Sequence, residues 1–160
     1  MNIRTKKLLS ILPIVALLLC SPSYSDSIFT HAVLKVPFEV REKSPWSQTI
    51  ESQDEWELFY RTNAVVYLGE NSKLLSAPSI DFSQYTIVAG GLGSSYSHSS
   101  IMIRYVRDQG PYTELSALIL TPGASCNVPS VISYPTVVLL IPKPDDNLKL
   151  HVSEVINECR

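Results

Sequence analysis

The chain has 160 residues, of which 45% are hydrophobic, so one globular domain with a sizeable core is expected. Lys and Arg number 13 against 15 Asp and Glu, which gives a formal net charge of −2 at pH 7. This balance, without a basic stripe, argues against a nucleic-acid partner; mild acidity in itself indicates only solubility.

The first residues divide into three zones. Residues 1–7 carry three basic side chains and no acid, residues 8–20 are apolar apart from one serine, and residues 21–25 are mostly small and polar. This order predicts a secretory signal peptide that is cleaved before Asp26, which leaves a single mature domain at 26–160. The apolar zone is shorter than the roughly 20 residues that cross a bilayer, and a retained N-terminal anchor is the alternative.

Cys20 ends the apolar zone and permits a second interpretation. A lipid-modified cysteine lies at such a place and would tether the protein to a membrane. That processing normally needs a small residue before the cysteine, whereas Leu19 is bulky. We therefore expect a periplasmic or secreted protein without a membrane span after cleavage, with a lipid anchor at Cys20 as the alternative.

Removal of residues 1–25 changes both the charge and the cysteine count. Three of the 13 basic residues leave with the signal, so 10 remain against 15 acids and the net charge becomes −5. Cys126 and Cys159 then form an even pair in an oxidising compartment, which predicts one disulfide worth about 3.5–4 kcal/mol. A reactive thiol is the rival interpretation, but apart from the terminal Arg160 no chain neighbour favours a thiolate.

One helix is predicted in the first half of the mature chain. Residues 26–46 form an extended N-terminal stretch, after which Ser52 and Glu55 make a capping box. Aromatic residues then recur at helical spacing, and we expect them to lie on a sheet: Trp56, Phe59 and Tyr60. Asn63 is a reasonable stop after about ten residues. Residues 65–68 fit either a short strand or a continuation of the helix.

The rest of the chain has a β pattern, in which short apolar segments alternate with turn signals. The predicted strands are 85–89, 101–107, 112–121, 134–141 and 148–155. Such strands indicate a mainly β fold, an antiparallel sheet or sandwich with the helix packed on it. The 134–141 strand is expected to be central, and residues 142–147 are expected to form a hairpin turn.

No residue set predicts a catalytic or metal centre. Residues 91–95 come closest to a nucleophile elbow, but they lack its second glycine and lead into a strand instead of a helix. A small exported hydrolase, using a Ser or a Cys such as Cys126 with His98 or His151, is an alternative. The three histidines are scattered without metal-ligand spacing, so no metal or cofactor is expected.

A glycine cluster and a polar loop follow the 85–89 strand. The glycines at 90, 91 and 93 indicate a bulge or a close approach of backbone, because no helix follows to cradle a phosphate. The loop after them offers hydrogen-bonding and aromatic side chains, which suit a partner-binding loop on a rigid scaffold: Ser94, Ser95, Tyr96 and His98. A solvated connection between strands is the plain alternative.

Residues 52–143 resemble the C-terminal domain of the protease complex subunit PrcB family. The matching stretches are the helix start Asp54-Glu55-Trp56, Ile80-Asp81-Phe82-Ser83, Gly90-Gly91-Leu92-Gly93, and Tyr134-Pro135-Thr136-Val137-Val138 running to Ile141-Pro142-Lys143. Family members often carry a Thr-Gly-Gly-Tyr-like turn before the hairpin, where this chain has residues 97–101 without glycine.

The resemblance implies an exported β-rich domain that accompanies and stabilises a protease and has no catalytic residues of its own. The sequence therefore favours a non-enzymatic binding or accessory domain for a protease or another exported protein. The hydrolase with His98 or His151 and an envelope structural protein are the other hypotheses.

Overall fold

The computed structural model describes residues 27–68, 76–95, 98–129, 131–145 and 147–159. Within these ranges the chain forms eight strands and one helix. Their bounds are β1 Ser27–Phe29, β2 Ala32–Val33, β3 Trp46–Ile50, α1 Gln53–Leu68, β4 Tyr85–Gly91, β5 Ser100–Asp108, β6 Thr113–Pro122, β7 Thr136–Pro142 and β8 Leu148–Asn157. The predicted mainly β fold with one helix is confirmed.

Two four-stranded sheets pack face to face as a sandwich. The outer sheet has the strand order β1-β5-β6-β8, and the inner sheet has the order β2-β7-β4-β3 and lies between the outer sheet and the helix. The strand pairs are antiparallel except β6–β8, which is parallel. The predicted 134–141 strand, observed as β7, is internal to the inner sheet.

Local capping explains where α1 begins. The Glu55 backbone N–H donates to the Ser52 hydroxyl (3.3 Å), as expected of an N-cap residue. The Glu55 carboxylate accepts from the Glu51 N–H (2.9 Å), so the reciprocal half of the box closes one residue earlier than usual. The helix continues past Asn63 to Leu68, which makes it longer than predicted and assigns residues 65–68 to it.

The aromatic face of α1 lies on the inner sheet, as predicted. Trp56, Phe59, Tyr60 and Ala64 are buried against Ile87, Ala89 and Val138 of the sheet, with Phe38 of the N-terminal stretch completing the cluster. The Phe38 ring meets Phe59 and Tyr60 edge-on, with centroids 6.1 and 5.1 Å apart. Each large side chain buried in this way contributes about 1.5–3 kcal/mol of hydrophobic stabilisation.

A second core fills the space between the two sheets. Val88, Leu139 and Ile141 of the inner sheet face Val106 and Leu115 of the outer sheet. Simple alternation along β5 would turn Val106 away from the core. A β-bulge between Ile103 and Tyr105 shifts the register, so Val106 points inward and is fully buried.

Two features of the topology differ from the prediction. Residues 142–147 were expected to form a hairpin turn, but they lead from β7 in the inner sheet to β8 in the outer sheet. β8 then pairs in parallel with β6, from Thr113 opposite Leu148 to Pro122 opposite Asn157. The short edge strand β3 was not predicted, because its Ser47, Gln48 and Thr49 are polar and exposed.

The predicted disulfide between Cys126 and Cys159 is confirmed, with Cα atoms 4.9 Å apart. It fastens the segment after β8 to the segment after β6. Hydrogen bonds reinforce this contact: the Ser125 hydroxyl lies 2.7 Å from the Glu158 carboxylate and accepts from the Cys159 N–H at 3.0 Å.

Candidate functional site

Two loops at one end of the sandwich are held together by backbone hydrogen bonds. Ser95 and Ser133 exchange N–H to carbonyl bonds of 2.9 Å in both directions, and the Leu92 N–H donates to the Pro135 carbonyl at 3.1 Å. We call residues 92–95 and 98–99, with 129 and 131–135, the paired loops. Because these hydrogen bonds hold the two loops to each other, the loops present a defined surface.

The glycines before the loop permit a close approach of backbone, as the sequence indicated. Gly93 has φ of 77°, and a Cβ there would lie 2.6 Å from the carbonyl carbon of Ser44. A Cβ at Gly91 would lie 2.6 Å from Nε1 of Trp46. The Ser94 hydroxyl also donates to the Lys43 carbonyl at 3.3 Å, so the loop start is fixed against the 43–46 segment.

His98 joins the paired loops through its side chain. Its Nε2 lies 3.0 Å from the Pro129 carbonyl, and because a carbonyl only accepts, Nε2 carries the hydrogen. In the neutral ring Nδ1 is therefore the acceptor. His98 has φ of 51°, a left-handed conformation that few non-glycine residues adopt. The imidazole is exposed to solvent.

A chain of hydroxyl groups leads from the paired loops across the outer sheet. The Ser99 and Thr121 hydroxyl oxygens are 3.1 Å apart, and the Thr121 hydroxyl donates to the Glu154 carboxylate at 2.8 Å. Since Thr121 has one hydroxyl hydrogen, Ser99 is the donor in the first bond. This chain connects β8 to the loop that precedes β5.

The paired loops border a cleft of about 650 Å³, which we call the loop cleft. Residues 33–36, 38 and 39 form its other wall and the start of β7 its floor. The cleft exists because β2 pairs with β7 only at Leu139 and Leu140, after which the Leu34 N–H donates to the Val138 carbonyl at 2.8 Å. Beyond this bond the N-terminal stretch leaves the sheet.

The loop cleft has mixed chemistry. Lys35 and Glu39 are exposed on one side, and the imidazole of His98 stands on the other. The half-buried Val137 and the buried Val138 of β7 also line the cleft. A cleft of this size with an apolar floor and polar rim can hold a peptide segment.

The predicted loop residues are only partly described. Ser94, Ser95 and His98 lie in the paired loops, whereas Tyr96 lies outside the described residues. The sequence did not identify the 129–135 loop or the 33–39 wall as parts of this surface. Their contribution depends on long-range contacts, and no local motif marks it.

The structure does not pair the residues of the hydrolase hypothesis as a nucleophile and its base. Cys126 is in a disulfide and has no thiol to offer. His151 is exposed on the outer face of β8, in register with the buried Ser116 of β6. Within the described ranges, neither His98 nor His151 is hydrogen-bonded to a serine hydroxyl.

Two features are absent from the described residues. No group of three or more His, Cys, Asp or Glu side chains in them is arranged to hold a metal ion. In the same ranges there is no helix of the length and apolarity needed to cross a membrane.

The described residues form a two-sheet β-sandwich in which one helix covers the inner sheet. The chain matches no protein-family model, no curated protein and no solved structure.

Proposed function

We propose that this protein is an exported, non-enzymatic binding domain that acts as an accessory to another exported protein, in the first instance a protease. The observation that carries the proposal is the loop cleft with its cross-linked paired loops. A surface fixed by Ser95–Ser133 and His98–Pro129 bonds binds with little loss of loop entropy.

Two further observations support the proposal. The sequence resemblance of residues 52–143 to the PrcB C-terminal domain makes a protease the first partner to test. The disulfide between Cys126 and Cys159 fits an oxidising compartment outside the cytoplasm. Cleavage of residues 1–25 before Asp26 is the export route proposed with it.

The test is capture of the partner from a periplasmic extract at native expression. The wild type is compared with His98→Asn, which tolerates the left-handed backbone but loses the imidazole. Loss of one polar contact of about 1 kcal/mol lowers capture about fivefold. Glu57→Gln, a polar substitution on the exposed face of α1, is the control and captures as the wild type does.

Two results contradict the proposal. The first is that no specific protein is recovered by the wild type. The second is hydrolysis of an ester or peptide panel by the wild type that disappears in His98→Asn or His151→Asn, which would favour a hydrolase.

A further inference from the structure

β8 is an open edge of the outer sheet. Among the described residues it pairs with β6 on one side and with no strand on the other. Its apolar side chains are solvent-exposed on both faces of the sheet: Leu150 and Val152 are 48% exposed, Val155 47% and Ile156 65%. An uncovered strand of this length presents a row of backbone donors and acceptors to another strand.

An apolar groove of about 350 Å³ runs beside the inner face of β8, between β8 and β3. Leu150 and Val152 form one wall, and Ala117 and Ile119 of β6 lie next to them. The groove is open because the inner sheet ends on this side in small side chains. Ser47 of the edge strand β3 is paired with Gly90 of β4, and Gly90 has no side chain to fill the groove.

We propose that β8 is a strand-addition site for an extended segment of another protein. The segment has apolar residues at alternate positions, opposite Leu150 and Val152, and a basic residue opposite Glu154. Its backbone continues the outer sheet, and its alternate apolar side chains enter the β3–β8 groove. The inference rests on the proposed binding function but uses a different face of the molecule.

The charge pattern of β8 argues against a second copy of this chain as the occupant. In a two-fold antiparallel pair, residues on the same face lie opposite each other. Registers centred on residues 151, 152 and 153 therefore place Glu154 opposite Leu148, Leu150 and Val152, respectively. The register centred on Glu154 brings the two carboxylates together, which is repulsive.

A partner strand with a Lys or Arg opposite Glu154 avoids placing the carboxylate against an apolar side chain or a second carboxylate. Glu154 is exposed, and its Oε1 accepts the Thr121 hydroxyl at 2.8 Å, which fixes the carboxylate on the inner face. A Lys or Arg directly opposite would form a cross-strand ion pair on that face. The acid therefore selects the register as well as the partner.

The probe is a fluorescently labelled peptide, Val-Thr-Lys-Thr-Val-Thr-Val-Ser-Ile, written to pair antiparallel with β8 and place Lys opposite Glu154. A second peptide carries Glu in place of Lys. Binding of both is measured by fluorescence anisotropy with the disulfide-intact mature protein. The variants are Glu154→Lys, Glu154→Gln, which keeps an acceptor for Thr121, and the control Glu57→Lys on the exposed face of α1.

The wild type and Glu57→Lys are expected to bind the Lys peptide about tenfold more tightly than the Glu peptide. Glu154→Gln loses the preference, and Glu154→Lys reverses it. Circular dichroism confirms that each variant is folded.

Three outcomes overturn the inference. The wild type binds neither peptide, binds both equally, or sediments as a dimer that Glu154→Lys dissociates, which would assign β8 to a second copy. Capture of an exported partner that His98→Asn weakens and Glu154→Lys leaves intact would refute strand addition and leave the proposed function standing.

Discussion

Gly93 occupies a backbone position that only glycine fits, and this makes it the sharpest single-residue test of the loop geometry. Its φ is 77°, and an added Cβ would lie 2.6 Å from the carbonyl carbon of Ser44. Gly93→Ala is therefore expected to lower the free energy of unfolding by about 2 kcal/mol or more, measured by urea denaturation.

Gly90→Ala is the matched control for that change. A Cβ at Gly90 would lie 3.4 Å from the Trp46 carbonyl oxygen, an ordinary contact, and φ there is not positive. Stability should be unchanged or slightly raised. Equal losses in the two variants would contradict the assigned role of Gly93.

Asp81 provides a pH-dependent test at the same scale. Hydrogen bonds from the Ser83 hydroxyl and then the Ser83 N–H, with one from Gln84, hold the pKa of Asp81 below its ordinary value of 3.8. The charged carboxylate is favoured in the folded state, so this contribution is present above pH 3.8 and is lost as the pH falls through the lowered pKa.

Ser83→Ala removes the largest cause of that shift. The pKa of Asp81, followed by NMR titration of its side chain, should rise toward 3.8 in the variant. A pKa that does not move would show that the Ser83 bonds are not its cause. Gln84→Ala should give a smaller rise, because Gln84 contributes least.

Helix α1 shows what local signals can predict at the level of an element. Ser52→Ala should cost about 1 kcal/mol of stability in thermal or urea unfolding, because the Glu55 N–H loses its acceptor. Ser52→Asp restores an acceptor and should retain most of the stability. A neutral Ser52→Ala would mean that the cap is redundant with the tertiary packing of Trp56.

The sequence predicted the positions of strands only where a local pattern of apolar residues or a turn signal marked them. β4, β5, β6 and β7 have strongly apolar or alternating residues, and the turn before β6 is marked by Gly110, so each was found. The register shift after Ile103 and the parallel partner of β8 were not, because both depend on contacts between distant segments. For the same reason the sequence identified the polar loop but not the wall of its cleft.

The disulfide contributes to the free energy of unfolding of the whole domain. It closes a separation of 33 residues, for which the chain-entropy model gives about 3.7 kcal/mol. Replacement of both Cys126 and Cys159 by Ser should lower the unfolding free energy by about 3–4 kcal/mol. Hydrogen exchange should then accelerate first in β8, whose pairing is with β6 alone in the described part of the chain.

A variant that exchanges uniformly faster, without a local change in β8, would contradict that second expectation. It would mean that β8 unfolds only together with the rest of the sandwich.

The proposed export makes a prediction for the mass of the intact protein. Protein recovered from outside the cytoplasm should begin at Asp26 and carry no free thiol. A chain that begins at an acylated Cys20 would support the lipid-anchor alternative, and one that begins at Met1 would contradict cleavage.

If the chain is exported as proposed, the pairing of β8 with β6 also sets an order of events during translocation. In a chain that is translocated N-terminus first, the seven other strands of the described residues arrive before β8, and Cys126 arrives 33 residues ahead of its partner. During that interval the unpaired edge of β6 can pair with the wrong strand, including one from a neighbouring nascent chain. The outer sheet is therefore complete only after β8 has arrived and the disulfide has formed. A slow thiol oxidase would then increase aggregation of the folding chain before it changed the folded protein.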